Sequence, residues 1–486
     1  MKGRTGLGAR VDWILLSNTM IGNFLAGAAA RIFAISLPTV ANGLETDLLG
    51  ISWALLSYEL SAISLSVVFG RIGDLYGRHI VYGLGLLLLT ISSFLCGVSQ
   101  SISQLILFRL LQGVAGAMTQ STARALAMEA MPEGSAGRSQ GFMTMAFATG
   151  SFLGPSLGGL IIDYIHWRGI FFFLVPIGAV GTFLTFSNWK RWRFLGGSDN
   201  YGPKPTVDYL GAGLLMLSTV AFMATLNQKV MEWMDPLQRV VLLLAFIGLF
   251  LGFLLREGTA KSPIVNLALF KIRMFTFSSA SLLLVSMTHG LTYFVLPFYL
   301  QDVLHLSPSF IGILFMTTPF FTLTLSPAVG HMSDRTGPRL PATVGIVMYT
   351  VSLLVGMALK VDSHWLLPTA VLVFGGLGNA LFLSPNHAAM ISSVPKEHRG
   401  FATGSLHLMF SLGLILGISL GTFLMTTLFR FYTGLPTAVP NPLQPVAFVL
   451  ALNAVFGIGV LICLAALVTS AMRGAKILAI AGTGQD

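Results

Sequence analysis

From Trp13 to Met472 the chain alternates between long apolar runs and short breaks rich in charges, glycine and proline. Most of the runs approach or exceed the roughly 20 residues that a helix needs to cross a bilayer. They fall at 13–37, 50–69, 80–98, 102–128, 139–162, 170–187, 210–226, 237–255, 275–300, 309–332, 341–359, 365–394, 402–429 and 446–472. Lipid offers a backbone no water, so each N–H and C=O must be satisfied within the segment, and continuous runs of this length mean helices. The short alternating segments of a membrane barrel are missing from the pattern. The predicted fold class is an all-α membrane protein of fourteen spans. The first run is basic and then apolar, with Ala28, Ala29 and Ala30 where a leader would be cut. It is read as a span, because Ser17, Asn18 and Asn23 interrupt it and it continues to Pro38.

Composition agrees and excludes alternatives. Only 9% of the 486 residues are charged and 54% are apolar, against roughly 25% charged in soluble domains. Such a chain cannot cover a water-facing surface. The formal charge of +10 would suit nucleic acid, but most of the Lys and Arg lie in the terminal segments and the even-numbered connections, those on the side of the two termini. By the positive-inside rule this places both termini in the cytoplasm, at the cell inner membrane. The net charge thus reports orientation, with anionic membrane lipids as its partner and no nucleic acid. Cys96 and Cys463 sit in apolar runs and are read as packing residues. No P-loop, His-Glu-x-x-His or Gly-x-Ser-x-Gly pattern occurs, so neither an enzyme nor a directly ATP-driven pump is expected, and no cofactor or metal.

The chain repeats itself. Gly70-Arg-Ile-Gly-Asp-Leu-Tyr-Gly-Arg78 follows the second span, and Gly330-His-Met-Ser-Asp-Arg-Thr-Gly-Pro-Arg339 follows the tenth. Duplication of this kind belongs to transporters built from two pseudo-symmetric halves, with the substrate site between them near the midplane. The expected units are a six-helix bundle over 1–189, a linker with two additional spans over 190–272, and a second six-helix bundle over 273–486.

The first turn resembles the signature loop of the major facilitator superfamily, and other motifs follow at matching positions. Arg109-Leu-Leu-Gln-Gly-Val-Ala-Gly116 is similar to that superfamily's fourth-helix motif, and Gly150-Ser-Phe-Leu-Gly-Pro-Ser-Leu-Gly-Gly159 to its fifth-helix antiporter motif. Trp53 with Tyr58, Trp167-Arg168 before Val175-Pro-Ile-Gly178, 263–270, and Leu296-Pro-Phe-Tyr-Leu-Gln301 resemble the fourteen-helix drug:proton antiporter branch, the multidrug and quaternary-ammonium resistance type. The likeness covers nearly the whole chain. It implies a proton-coupled exporter of amphiphilic or lipophilic small molecules, working by alternating access as a functional monomer.

Each motif also has a physical reading. Gly70, Gly73 and Gly77 let two helices meet in a tight turn, and Asp74 is then free to face a helix N-terminus, where a carboxylate is stabilised. The resemblance implies that this helix is the one beginning near Gly400. It also implies that Arg78 bridges to Glu129, that Asp334 is the equivalent acid of the second repeat, and that Arg109 orders the motif around it, together forming a conformational latch. Gly150, Gly154, Gly158 and Gly159 suit close helix packing, with Pro155 permitting a bend; ordinary packing and a bearing on transport direction both fit.

Ionisable groups at membrane depth are costly and point to function. Glu59 is the acid well inside a span, and Arg31 lies at matching depth, so the two are expected to pair and carry proton coupling. Where the drug exporters commonly have an acid in the first helix, this chain has Ala29, with Arg31 two residues on. That departure raises the alternative of lipids or anionic amphiphilic metabolites as substrate, exported or flipped. The expected substrate cavity comprises Asn23, Arg31, Glu59, Arg124, His289, Tyr293, Asn379, Asn386, His387 and His407. Histidine titrates near neutrality, so His289, His387 or His407 is a further candidate for the proton; interhelical hydrogen bonding is the structural alternative for each.

Overall fold

A computed structural model describes residues 11–132, 136–192, 208–226, 234–259, 267–395, 399–435 and 444–473, together with Pro440. Among them every regular element is helical. The first bundle contains α1 (Trp13–Gly43), α2 (Leu48–Tyr76), α3 (Arg78–Val98), α4 (Ile102–Glu129), α5 (Ala136–Tyr164) and α6 (Gly169–Ser187). After a single turn at Trp189–Trp192 come α7 (Tyr209–Leu226) and α8 (Pro236–Thr259). The second bundle holds α9 (Arg273–Phe298), α10 (Pro308–Phe315), α11 (Thr317–Thr336), α12 (Arg339–Gly356), α13 (Leu366–Ser392), α14 (Arg399–Thr433) and α15 (Pro445–Ala471).

Thirteen stretches are long and apolar enough to cross a membrane, α10 and the start of α11 counting as one; α7 adds a shorter apolar stretch, Gly213–Phe222. The protein is thus multi-pass, and successive helices alternate between the side of α1's start, here the termini side, and the far side. Helix starts follow local chemistry. Asp12, Asp47 and Ser101 accept from the backbone N–H of Leu15, Gly50 and Gln104, satisfying donors that the first turns leave free.

Helix pairing repeats from one half to the other. In the first bundle α1 packs on α5, α2 on α4, α3 on α4 and α3 on α6; in the second α9 packs on α14, α11 on α13, α12 on α13 and α12 on α15. The two signature turns match as well. Gly77 has φ +109° and Gly337 φ +83°, values in the left-handed region that glycine tolerates and side chains with a Cβ resist. Helix α7 packs on α2 and α14, while α8 leans mainly on α7 and exposes Val240, Val241, Leu244, Leu251 and Leu255, an apolar face suited to lipid.

Three departures from the sequence reading have local causes. Helices α1 and α2 run on to Gly43 and Tyr76, because membrane helices extend past the hydrocarbon edge and Pro38 lies inside α1 without ending it. Pro297 supplies no N–H, and α9 closes in a π-helical turn, Tyr299–Val303, in which Leu304 N–H donates to the Tyr299 carbonyl at 3.0 Å. The tenth span is broken at Met316 into α10 and α11, three residues before Pro319, whose ring disfavours a continuous helix on its N-terminal side.

Candidate transport site and the seals around it

At the termini side, Gly73 lets α2 approach Thr122 of α4, and Arg78, opening α3, pairs with Glu129 at α4's end (Nη1 to Oε1, 2.8 Å). The pairing implied by the signature loop is therefore made. The side chains of Asp74 and Asp334 lie outside the described residues. Deeper in the bundle, buried Arg109 donates from Nε to the Ala54 carbonyl at 3.2 Å and from Nη1 to Gln112 Oε1 at 2.6 Å, and Gln112 donates on to Ser93. Its guanidinium lies over the rings of Phe33 and Tyr58. Arg109 thus ties α1, α2, α3 and α4 together without reaching the space between bundles.

Between the bundles the expected Arg31–Glu59 pair is not among the contacts. Arg31 instead meets His289 of α9, Nη1 to Nε2 at 3.3 Å, with its guanidinium over the Tyr293 ring. His289 stacks on Tyr293 with ring centroids 4.4 Å apart. Its other nitrogen lies 3.5 Å from the Tyr349 hydroxyl; Tyr349 donates to Asn379 Oδ1 at 3.0 Å, and Asn379 donates to Thr322 at 2.9 Å. The direction of this string follows from elementary chemistry. A guanidinium can only donate, so Nε2 accepts, and the imidazole must be neutral with its proton on Nδ1. From Arg31 to Thr322 each group then donates to the next. A second proton on His289 would place an N–H against the guanidinium and break the contact between bundles. The positive charges whose fields reach Glu59 are Arg109 first and Arg31 second.

Beyond this string the far side is closed. Thr39 of α1 and Gln301 exchange hydrogen bonds of 3.0 and 2.8 Å. Asp163, near α5's end, accepts from the Ser309 N–H at 2.8 Å; a carboxylate on the first turn of α10 in the opposite bundle is stabilised by that helix's dipole. A Cβ added at Gly159 would strike the Pro308 carbonyl, and one at Gly312 would strike the Pro155 carbonyl. The fifth-helix motif is therefore divided between two faces. Gly150, Gly154 and Gly158 seat α5 on Phe24, Ala28 and Ile32 of α1, within one bundle. Pro155 and Gly159, four residues apart and one step round the helix, press on α10 of the other.

On the termini side Arg124 of α4 reaches His407 of α14, Nη1 to Nε2 at 2.6 Å. Both side chains are exposed, and they bridge the two bundles on the termini side. Asn23 and Asn386 are buried ties: Asn23 donates to the Met143 carbonyl at 3.1 Å and Asn386 to the Ser278 carbonyl at 3.3 Å. They act as packing bonds here. Tyr349, Thr322, Gln301 and Asp163 escaped the sequence reading. Tyrosine, threonine and glutamine carry no charge signal at membrane depth, and Asp163 reads as an ordinary span-end acid.

The profile of the Major Facilitator Superfamily matches residues 19–288 and 278–475. Riboflavin transporter RibZ of Clostridioides difficile is 30% identical over 413 residues, 83% of this chain and 86% of its own. Multidrug resistance protein Stp of Mycobacterium tuberculosis is 30% identical over 452 residues, 90% of this chain and 80% of its own. Multidrug export protein EmrB of Haemophilus influenzae is 24% identical over 430 residues, 88% and 83% respectively. Among solved structures, a bacterial homolog to the human lysosomal transporter Spinster, in an inward-facing and unoccupied conformation, superposes with TM-score 0.65 at 15% identity, covering 97% of this chain and 98% of its own. With its duplicated bundles, signature turns and whole-length likeness to drug exporters, the chain belongs to the Major Facilitator Superfamily, in the drug-efflux type of family.

Proposed function

We propose that this protein is a proton-coupled secondary active exporter of amphiphilic small molecules, working by alternating access at the inner membrane with both termini in the cytoplasm. The observation that carries the reading is the polar string from Arg31 to Thr322. It joins the bundles between the far-side contacts of Asp163 and the termini-side contact of Arg124 with His407. Substrate entering from the termini side passes the Arg124–His407 contact and then meets this string. Glu59 and Arg31 carry the coupling, and protonation changes the attraction among Glu59, Arg31 and His289 that favours one bundle arrangement over the other. The relatives named for multidrug export support the export direction.

A second reading, export or flipping of lipids or anionic amphiphilic metabolites, is favoured by one specific observation. Arg31 meets a neutral imidazole rather than a carboxylate, so its charge is left for a ligand. Both readings are tested in everted membrane vesicles given an acid interior. Accumulation of an amphiphile above its passive level, collapsed by nigericin, is expected. Accumulation that survives collapse of the pH gradient would remove proton coupling, and none for any amphiphile in a charge-varied panel would remove the export reading.

A further inference from the structure

The termini side holds a second set of basic side chains, one arginine and two histidines, separate from the central string. Arg124 and His407 meet across the bundles at 2.6 Å, and His387 lies on α13, which packs against the α14 helix of His407. Because the guanidinium can only donate, His407 accepts through Nε2 and carries its proton on Nδ1. This single bond uses one of the five N–H groups of Arg124. The others have no partner among the described residues, and neither does the buried Nε2 of His387. No carboxylate is paired with any of the three among the described residues; the pairs Arg78–Glu129 and Arg256–Asp208 lie elsewhere.

Arg124 is exposed on the termini side and no carboxylate among the described residues answers its charge, so an anion arriving from that side meets an unneutralised guanidinium. Static charge for orientation does not explain it, since Arg124 is held between bundles by a histidine from the opposite half instead of extending toward the lipid head groups. Its free N–H groups form a fork that matches the oxygens of a carboxylate, sulfonate or phosphate, and His407 Nδ1–H adds a donor from the other bundle. The binding surface therefore needs both halves and comes apart when they separate.

We propose that Arg124, His407 and His387 form a head-group site for anionic amphiphiles at the mouth of the pathway, where the acid group is captured before the apolar body moves on toward Arg31. The proposal rests on the transport reading for its biological sense, but binding at the site can be measured alone. The shared chemistry is an anionic head on an apolar body, carried either by a free amphiphile or by a bilayer lipid.

The test uses purified full-length protein in phosphatidylcholine nanodiscs and three probes with one pyrene body: pyrenebutyrate, pyrenebutanol and pyrenebutyltrimethylammonium. Energy transfer from the protein's 7 Trp reports binding. Pyrenebutyrate is expected to bind at least tenfold more tightly than the other two. Arg124→Gln should erase that preference, Arg124→Lys should keep part of it, and His407→Gln should reduce it severalfold, with pyrenebutanol affinity unchanged in all three variants. Unchanged pyrenebutanol binding serves as the control for folding. Equal affinity for the three probes, a preference for the cation, or a preference abolished by Arg31→Gln but intact in Arg124→Gln would overturn the site. Adding phosphatidylglycerol to the nanodiscs separates the two carriers. Competition with pyrenebutyrate identifies the lipid as a ligand, and unchanged affinity identifies the free amphiphile, each in keeping with the proposal. Head-group preference without transport of any probe in proteoliposomes would uphold the site and reject the exporter reading; transport without the preference would do the reverse.

Discussion

Glu59→Gln is expected to abolish pH-gradient-driven accumulation while leaving substrate affinity within a few-fold of the parent protein. If one proton is exchanged per substrate, each pH unit supplies about 1.4 kcal/mol, a tenfold accumulation ratio. Glutamine keeps the shape and hydrogen-bonding capacity of the side chain but cannot take up or release a proton, so the ratio should fall to one. The argument rests on scarcity and on field. Glu59 is the acid within α2 at the depth of Arg31, and the charges acting on it are Arg109, fixed inside the first bundle, and Arg31, at the seam. Rocking of the bundles leaves the first unchanged and alters the surroundings of the second. Arg31→Ala should then weaken anionic substrate and shift the pH optimum of transport. Accumulation assays in proteoliposomes, with binding measured on the same preparations, separate coupling from folding. If Glu59→Gln retains the parent pH dependence, the proton resides elsewhere, and His289 at the seam is the next site to test.

Gly159→Val should trap the protein with its far side open. In the closed arrangement a Cβ at this position overlaps the Pro308 carbonyl, and a reciprocal clash arises at Gly312 against Pro155. Overpacking a tight contact costs about 1–3 kcal/mol, enough to shift the balance between two states by roughly five- to more than a hundredfold. Spin labels at Ile165 and Phe431, exposed on the two bundles, should report a longer distance in Gly159→Val than in the parent, with transport lost and expression retained. Gly150→Val makes the contrast. Its Cβ strikes the Phe24 carbonyl within the first bundle, so it should lower thermal stability without lengthening the distance. Equal effects of the two variants on stability and distance would mean that the motif acts as one packing surface with no gating role.

The spans were legible because an apolar run of bilayer length admits one secondary structure, and the turn at Gly77 was legible because a tight turn needs glycine, whereas the Arg78–Glu129 pair, 51 residues apart, came from the resemblance alone. The polar seam was only half legible. Position along a span gives the height of a side chain in the membrane, which is how Arg31 and Glu59 came together as candidates, with His289 added because histidine titrates near neutrality. It does not give the direction in which the chain faces across the seam, and that direction sends Arg31 to His289 and Arg124 to His407. Tyr349 and Thr322 were invisible for a related reason: hydroxyls in membrane helices usually bond their own backbone, as Thr350 does to the Ile346 carbonyl. The division of the fifth-helix motif was present in its spacing. Gly150, Gly154 and Gly158 repeat every four residues, whereas Pro155 and Gly159 form the same repeat one step round, and two repeats one step apart face different neighbours.

Coupled exchange is the central claim, and it is tested most directly in proteoliposomes loaded with a pH-sensitive dye and given no imposed gradient. Addition of a transported amphiphile on the termini side should move protons toward that side in proportion to substrate uptake, and the signal should vanish in Glu59→Gln. Substrate movement with no accompanying proton movement would contradict the account.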